Sequence, residues 1–164
     1  MRIIVFILLS LSLICIAEER HIIIDKAAYK LSVIQNQDTI FQAPICIGKN
    51  FGQKTKKGDN KTPEGKFTIS HIQDSRRWKH DFNDGKGEIL GSYGPWFFRL
   101  KTPKWTDIGI HGTCFPQSIG TRDSEGCIRL LNDDLIKLKK LVFVGMNVEI
   151  LPDIVNETDL FTSE

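Results

Sequence analysis

The sequence predicts a mainly β, single-domain protein, a β-sandwich-like core with one or more short helices. Three observations lead there. Apolar residues fall in short runs, several alternating with period two; Gly, Pro and polar turn residues punctuate the chain; and only one segment carries helical spacing. Strands and helices do not alternate, which argues against a parallel α/β sheet. The length of 164 residues suits one domain with one core.

Residues 1–17 stand apart from that fold. Met1 and Arg2 give a short positive start, 3–16 is an almost unbroken apolar run, and Cys15 and Ala17 are small residues at the two positions a signal peptidase reads. A signal peptide ending at Ala17 is expected, followed by one folded domain over 18–151 and a polar tail over 152–164. The apolar run of about 14 residues falls short of the roughly 20 a spanning helix needs, so no stable membrane span is expected after cleavage. Lipidation at Cys15 is the alternative, although Ile14 occupies the place where a small residue normally precedes a lipidated cysteine. Either way the protein is expected to be exported, to the periplasm or elsewhere in the cell envelope.

Within the domain, 21–25 is an apolar run, 29–34 alternates as Tyr-Lys-Leu-Ser-Val-Ile, 35–38 is a polar turn, and 39–47 is another strand candidate. Gly48, Gly52, Gly58 and Pro63 among lysines make 48–65 a long surface loop. The lysines between 49 and 61 read as a solvated face, with attraction of an anionic polymer as the alternative. Residues 66–72 form a strand. The charged, glycine-rich stretch 73–94, containing Trp78, is long enough to be a functional loop or a lid over a cleft. Segments 97–100 and 108–110 are further strands, with Trp96, Phe97 and Phe98 expected in the core. Asn132 is placed to cap a helix with Asp133 and Asp134 in its first turn and Lys137, Lys139 and Lys140 toward its end. Its Leu135, Leu138, Leu141 and Val142 should face the core, Gly145 should end it, and 147–151 should be a last strand.

Charge and cysteine usage narrow the function. With 22 Lys plus Arg against 20 Asp plus Glu, the chain lacks the basicity of a nucleic-acid binder, and its 41% hydrophobic content excludes disorder. Beyond the leader three cysteines remain, Cys46, Cys114 and Cys127. In an exported protein an odd number leaves at least one thiol free or reserved for chemistry. His21, His71 and His80 show no ligand spacing with them, so no metal or other cofactor is expected.

Two local clusters carry candidate chemistry. In Ile108-Gly109-Ile110-His111-Gly112-Thr113 a strand delivers a histidine into glycine, and Ser124-Glu125-Gly126-Cys127-Ile128-Arg129-Leu130 places a thiol after glycine. A thiolate attacks a carbonyl and an imidazole takes and returns the proton, which is what nucleophilic acyl chemistry requires. Gly126 permits close backbone approach and can turn amide N–H groups toward a developing oxyanion.

These segments resemble the L,D-transpeptidase catalytic domain of the YkuD type. The resemblance rests on His111-Gly112-Thr113, Ser-Ile-Gly at 118–120 and the Ser124 to Leu130 motif, and it extends upstream to Pro44-Ile45-Cys46-Ile47-Gly48 and Thr62-Pro63-Glu64-Gly65-Lys66-Phe67. It covers roughly 21–151. By resemblance, Cys127 is the nucleophile, His111 the general acid and base, and the Gly112 carbonyl the group orienting the imidazole. Amides near Gly126 and Cys127 would line the oxyanion hole, while Ser124, Glu125 and Arg129 would meet substrate. Arg129 either pairs with a substrate carboxylate or satisfies local carbonyls. Glu125 stands where many members have a second histidine, and an unpaired carboxylate there would raise the thiol's pKa. Cys46 and Cys114 either pair or stay independent. The family implies peptidoglycan stem peptides as substrate, in cell-wall synthesis or remodelling by a monomer. Transpeptidase, carboxypeptidase and non-catalytic wall-binding readings all remain open.

Overall fold

The computed structural model describes residues 19–153. The signal peptide, its cleavage site, Cys15 and most of the expected tail lie outside the described residues. In chain order the elements are β1 Arg20–Asp25, β2 Lys30–Gln35, β3 Asp38–Pro44, β4 Ile47–Gly48, β5 Gly65–Asp74, β6 Lys79–Asp81, β7 Glu88–Leu90, β8 Trp96–Lys101, β9 Gly109–His111, β10 Arg122–Ser124, β11 Ile128–Arg129, α1 Asn132–Lys139 and β12 Asn147–Ile150. The mainly β, single-domain expectation holds.

The first three strands form an antiparallel meander, as their alternation requires. Asn36 and Gln37 both take positive φ, 50° and 76°, so a two-residue turn joins Gln35 to its partner Asp38. Eight strands make one sheet in the order β11-β9-β8-β5-β12-β1-β2-β3, in which β1 with β12 and β9 with β11 run parallel. The sheet curls until its ends meet. Just past β3, Cys46 exchanges two backbone hydrogen bonds of 2.9 Å each with Arg129 of β11 at the opposite edge. The enclosed space is filled from all sides: Ile22, Ile24, Leu31, Val33, Phe98, Ile110, Ile128, Leu135 and Leu138 are all fully buried. Each such side chain contributes about 1.5–3 kcal/mol by leaving water.

Four sequence expectations are corrected. The helix ends at Lys139 and not near Gly145. Its last turn tightens into bonds from Lys140 N to Lys137 O and Leu141 N to Leu138 O, and Gly145 N bonds Ile69 O to launch β12, so the chain is claimed by the sheet. Asn132 does not cap the helix, because its side chain is taken by another segment described below. The stretch 73–94 is no plain loop: β6 and β7 pair within it as a short antiparallel hairpin. Asp153, expected in a loose tail, is buried and bonded on both carboxylate oxygens.

Candidate active site

His111 is the last residue of β9, where Phe97 of β8 pairs with it on one side and Arg129 of β11 on the other. Two ladders therefore fix its backbone, and its side chain is only 3% exposed. Its Nδ1 lies 2.6 Å from the Gly112 carbonyl oxygen. A carbonyl only accepts, so Nδ1 carries the hydrogen and Nε2 is left bare. The Phe97 ring stacks on the imidazole at 5.4 Å between centroids, and Tyr93 meets it edge-on at 4.9 Å. Glycine is required at 112, since a Cβ there would lie 2.1 Å from Asn132 Oδ1. That oxygen accepts a 3.0 Å bond from Thr113 N. Asn132 thus holds the turn after His111.

Cys127 lies immediately before β11, so the parallel pairing of β11 with β9 sets it beside Gly109, just upstream of His111. The turn carrying it is stapled by Ser124, whose hydroxyl accepts from Gly126 N at 3.1 Å and donates to the Cys127 carbonyl at 2.6 Å. Gly126 has φ +127°, and a Cβ there would meet Lys61 O at 2.8 Å. The thiol donates to the Asp107 carbonyl at 3.3 Å. Burial pushes the Cys127 thiol up to about 11, against the opposing pull of the Gly109 N–H and Arg129, with Asp107 and Glu125 adding to the rise. Burial likewise pulls His111 down to about 3, helped by the charge of Arg129 and opposed by the Gly112 bond. Both shifts favour the neutral thiol and the neutral imidazole.

Both groups line one cleft of about 550 Å³, with Trp78, His80, Tyr93 and Glu125 in its walls. The 73–94 segment lines the cleft as a wall: the β6–β7 hairpin brings His80 to it, and Trp78 packs on Phe97 at 5.4 Å. Phe97 and Phe98 are core residues as expected, and Trp96 is partly buried against it. Arg129 is 5% exposed, with Nη1 3.6 Å from Asp123 Oδ2 and 3.4 Å from the Asp123 carbonyl, and its guanidinium sits 5.5 Å over the Phe82 ring. The local-carbonyl role is therefore present, while the residue still lines the cleft. Glu125 is not an unpaired charge: its Oε2 lies 3.2 Å from His80 Nε2. Cys46, Cys114 and Cys127 are all free thiols, so Cys46 and Cys114 stand independently. Sequence reasoning missed His80, Tyr93 and Ser92 as cleft residues. The Ser92 hydroxyl is buried with no hydrogen-bond partner among the described residues. The one usable signal was the length of the 73–94 segment.

Comparison with known proteins agrees with this geometry. A family model, the L,D-transpeptidase catalytic domain YkuD, matches residues 19–150. The YkuD protein of Bacillus subtilis is 33% identical over 130 residues, covering 79% of this chain and 65% of that protein. Its Bacillus licheniformis counterpart is 35% identical over 109 residues, covering 66% of this chain and 52% of that protein. The chain thus spans less than two thirds of the length of these relatives. Among solved structures, the catalytic domain of the Enterococcus faecium L,D-transpeptidase superimposes with a TM-score of 0.60 at 20% identity, covering 82% of this chain and 98% of that one. The helical cell shape determining protein Pgp2 of Campylobacter jejuni gives 0.63 at 22% identity, over 84% of this chain and 49% of that one. At these identities the structures speak for the fold, whereas the family match runs through the strands, the His111 turn and the Cys127 turn together. The chain is therefore a member of the L,D-transpeptidase catalytic-domain family.

Proposed function

We propose that the protein is an exported cysteine acyltransferase of peptidoglycan, acting on tetrapeptide stems. The carrying observation is that Cys127 and His111 line one cleft, with the imidazole fixed through Nδ1 so that Nε2 is the available base. In the forward direction Cys127 attacks the carbonyl of the third stem residue as His111 Nε2 takes the thiol proton. The tetrahedral oxyanion falls to the Cys127 N–H, because the Gly126 N–H, expected to share that role, is spent on the Ser124 hydroxyl that braces the turn. Collapse expels the terminal D-Ala, to whose amine His111 passes the proton, and leaves a thioester on Cys127. Attack by the side-chain amine of a second stem forms a 3-3 cross-link and frees the thiol. Arg129 is suited to a substrate carboxylate through the guanidinium edge that Asp123 leaves over.

Water in place of the amine makes the same residues an L,D-carboxypeptidase, and the partly open cleft admits either nucleophile. Incubation with a disaccharide-tetrapeptide, read by mass spectrometry, tests both. Cross-linked dimer that disappears in Cys127→Ala is expected, tripeptide without dimer would assign the carboxypeptidase, and no product from the unsubstituted protein would leave a non-catalytic wall-binding module.

A further inference from the structure

One wall of the cleft holds a hydrogen-bonded chain that the steps assigned to Cys127 and His111 do not use. Glu125 Oε2 lies 3.2 Å from His80 Nε2, and His80 Nδ1 lies 3.0 Å from Tyr93 Oη. A carboxylate only accepts, so Nε2 carries the ring hydrogen, and Nδ1 accepts from the tyrosine hydroxyl. Burial pushes Tyr93 up to about 12, with Cys127 and Glu125 adding to the rise, so that hydroxyl keeps its proton. The chain thus fixes one oxygen of Glu125, while Oε1 has no hydrogen-bond partner among the described residues and the side chain is 46% exposed at the cleft. The hairpin that supplies His80 is itself seated: the Phe82 ring meets His80 at 4.5 Å and Phe115 at 5.1 Å. The cleft carries charges of both signs, Arg129 acting on the thiol against the carboxylates of Asp107 and Glu125. Asp107 and Glu125 flank the thiol, whereas Lys54, Lys57, Arg99 and Lys104 line the cleft as well.

We propose that Glu125 binds the cationic primary amine of the acyl acceptor and that His80, on the hairpin, is the residue that positions its carboxylate. The inference rests on the acyl-transfer reading and names the chemistry of its second substrate. The ammonium is gathered at Oε1, next in sequence but one to the thioester. It gives one proton to bulk water, and the freed nitrogen bonds to the thioester carbonyl carbon. His111 Nε2 takes a second proton from that nitrogen, the carbon–sulfur bond breaks with its electron pair on sulfur, and His111 returns the proton to the thiolate. Water can only hydrogen-bond to Glu125, whereas the ammonium also forms an ion pair with it, so the carboxylate biases the thioester toward transfer.

The test is a competition between two small acceptors, lysinamide, a cation at neutral pH, and hydroxylamine, which is neutral there. Purified protein is given the tetrapeptide donor with both present, and the two products are counted by mass spectrometry. The product ratio does not depend on how fast the thioester forms. It is expected to fall about two- to fivefold toward hydroxylamine in Glu125→Gln and in His80→Ala, the loss of one modest, partly exposed ion pair. His80→Gln, whose amide still donates to the carboxylate, should restore part of it. Added salt should lower the ratio in the unsubstituted protein and not in Glu125→Gln. A ratio unchanged by Glu125→Gln would overturn the assignment, as would a thioester that uses neither acceptor. No product of any kind from the unsubstituted protein would overturn the acyl-transfer reading and this one with it.

Discussion

Burial sets the protonation of both reacting side chains before substrate arrives, and this has a measurable sign. With Cys127 raised to about 11 and His111 lowered to about 3, the thiolate fraction at neutral pH is small. Alkylation of Cys127 by iodoacetamide is therefore expected to keep accelerating with pH past 9, with no plateau near neutrality. A thiolate plateau beginning below pH 7 would show an ion pair instead. Acylation by substrate should stay flat over that range, because His111 takes the proton only as the bond forms. Cys127 and His111, the proposed reacting pair, stand in local motifs that need only a few neighbours to be recognised. His80 does not, since it reaches Glu125 across 45 positions through a hairpin whose short strands look like loop in the sequence.

Short elements and turns hold the site, and glycines are the positions where they cannot give. Gly126→Ala places a methyl against the Lys61 carbonyl in a backbone conformation that L residues rarely adopt. It is expected to lower unfolding free energy by about 1–3 kcal/mol in urea titration and to abolish turnover. Asn132 is the subtler case. Its composition context reads as a helix cap, yet its oxygen is spent on Thr113 N, and no local pattern distinguishes those partners. Asn132→Ala leaves that N–H unpaired and frees the His111 turn, so a destabilisation of about 1–3 kcal/mol is expected with a larger fractional loss of acylation rate than of stability. Asn132→Asp, which keeps the acceptor, should recover most of the stability.

Across the whole molecule, the two ends of the domain are tied by buried charge. Lys26 is 1% exposed, with Nζ 2.5 Å from Glu64 Oε1 and 2.9 Å from Asp153 Oδ2, and Arg122 pairs with the other Asp153 oxygen. Removing the lysine leaves Glu64 without its cation, while Asp153 keeps Arg122 and the Gly52 N–H, so Lys26→Met is expected to cost about 3 kcal/mol, the low end for a broken buried pair. Burial raises the Asp153 carboxyl, but bonds from Gly52 N and Lys26 outweigh it and hold it low; Asp59 is held low in the same way, by Lys54 and three backbone N–H groups. A carboxyl held below its unfolded value adds stability that is complete above about pH 4 and lost as pH falls through the native value. Urea midpoints should therefore hold between pH 7 and 5 and drop below 4, with a shallower drop in Asp153→Asn. None of this network was visible in a polar tail sequence. The mainly β class was, because period-two alternation reports burial on one face, whereas the closure of the sheet through Cys46 and Arg129 depends on contacts that no local pattern encodes.

The central claim is that Cys127 forms an acyl-enzyme with His111 as its base. The most direct measurement is intact mass after brief exposure to a carbapenem, followed by peptide mapping. A single adduct on Cys127, absent from Cys46 and Cys114 and lost in His111→Ala, is the expected result. Equal slow labelling of all three cysteines, unaffected by His111→Ala, would contradict it.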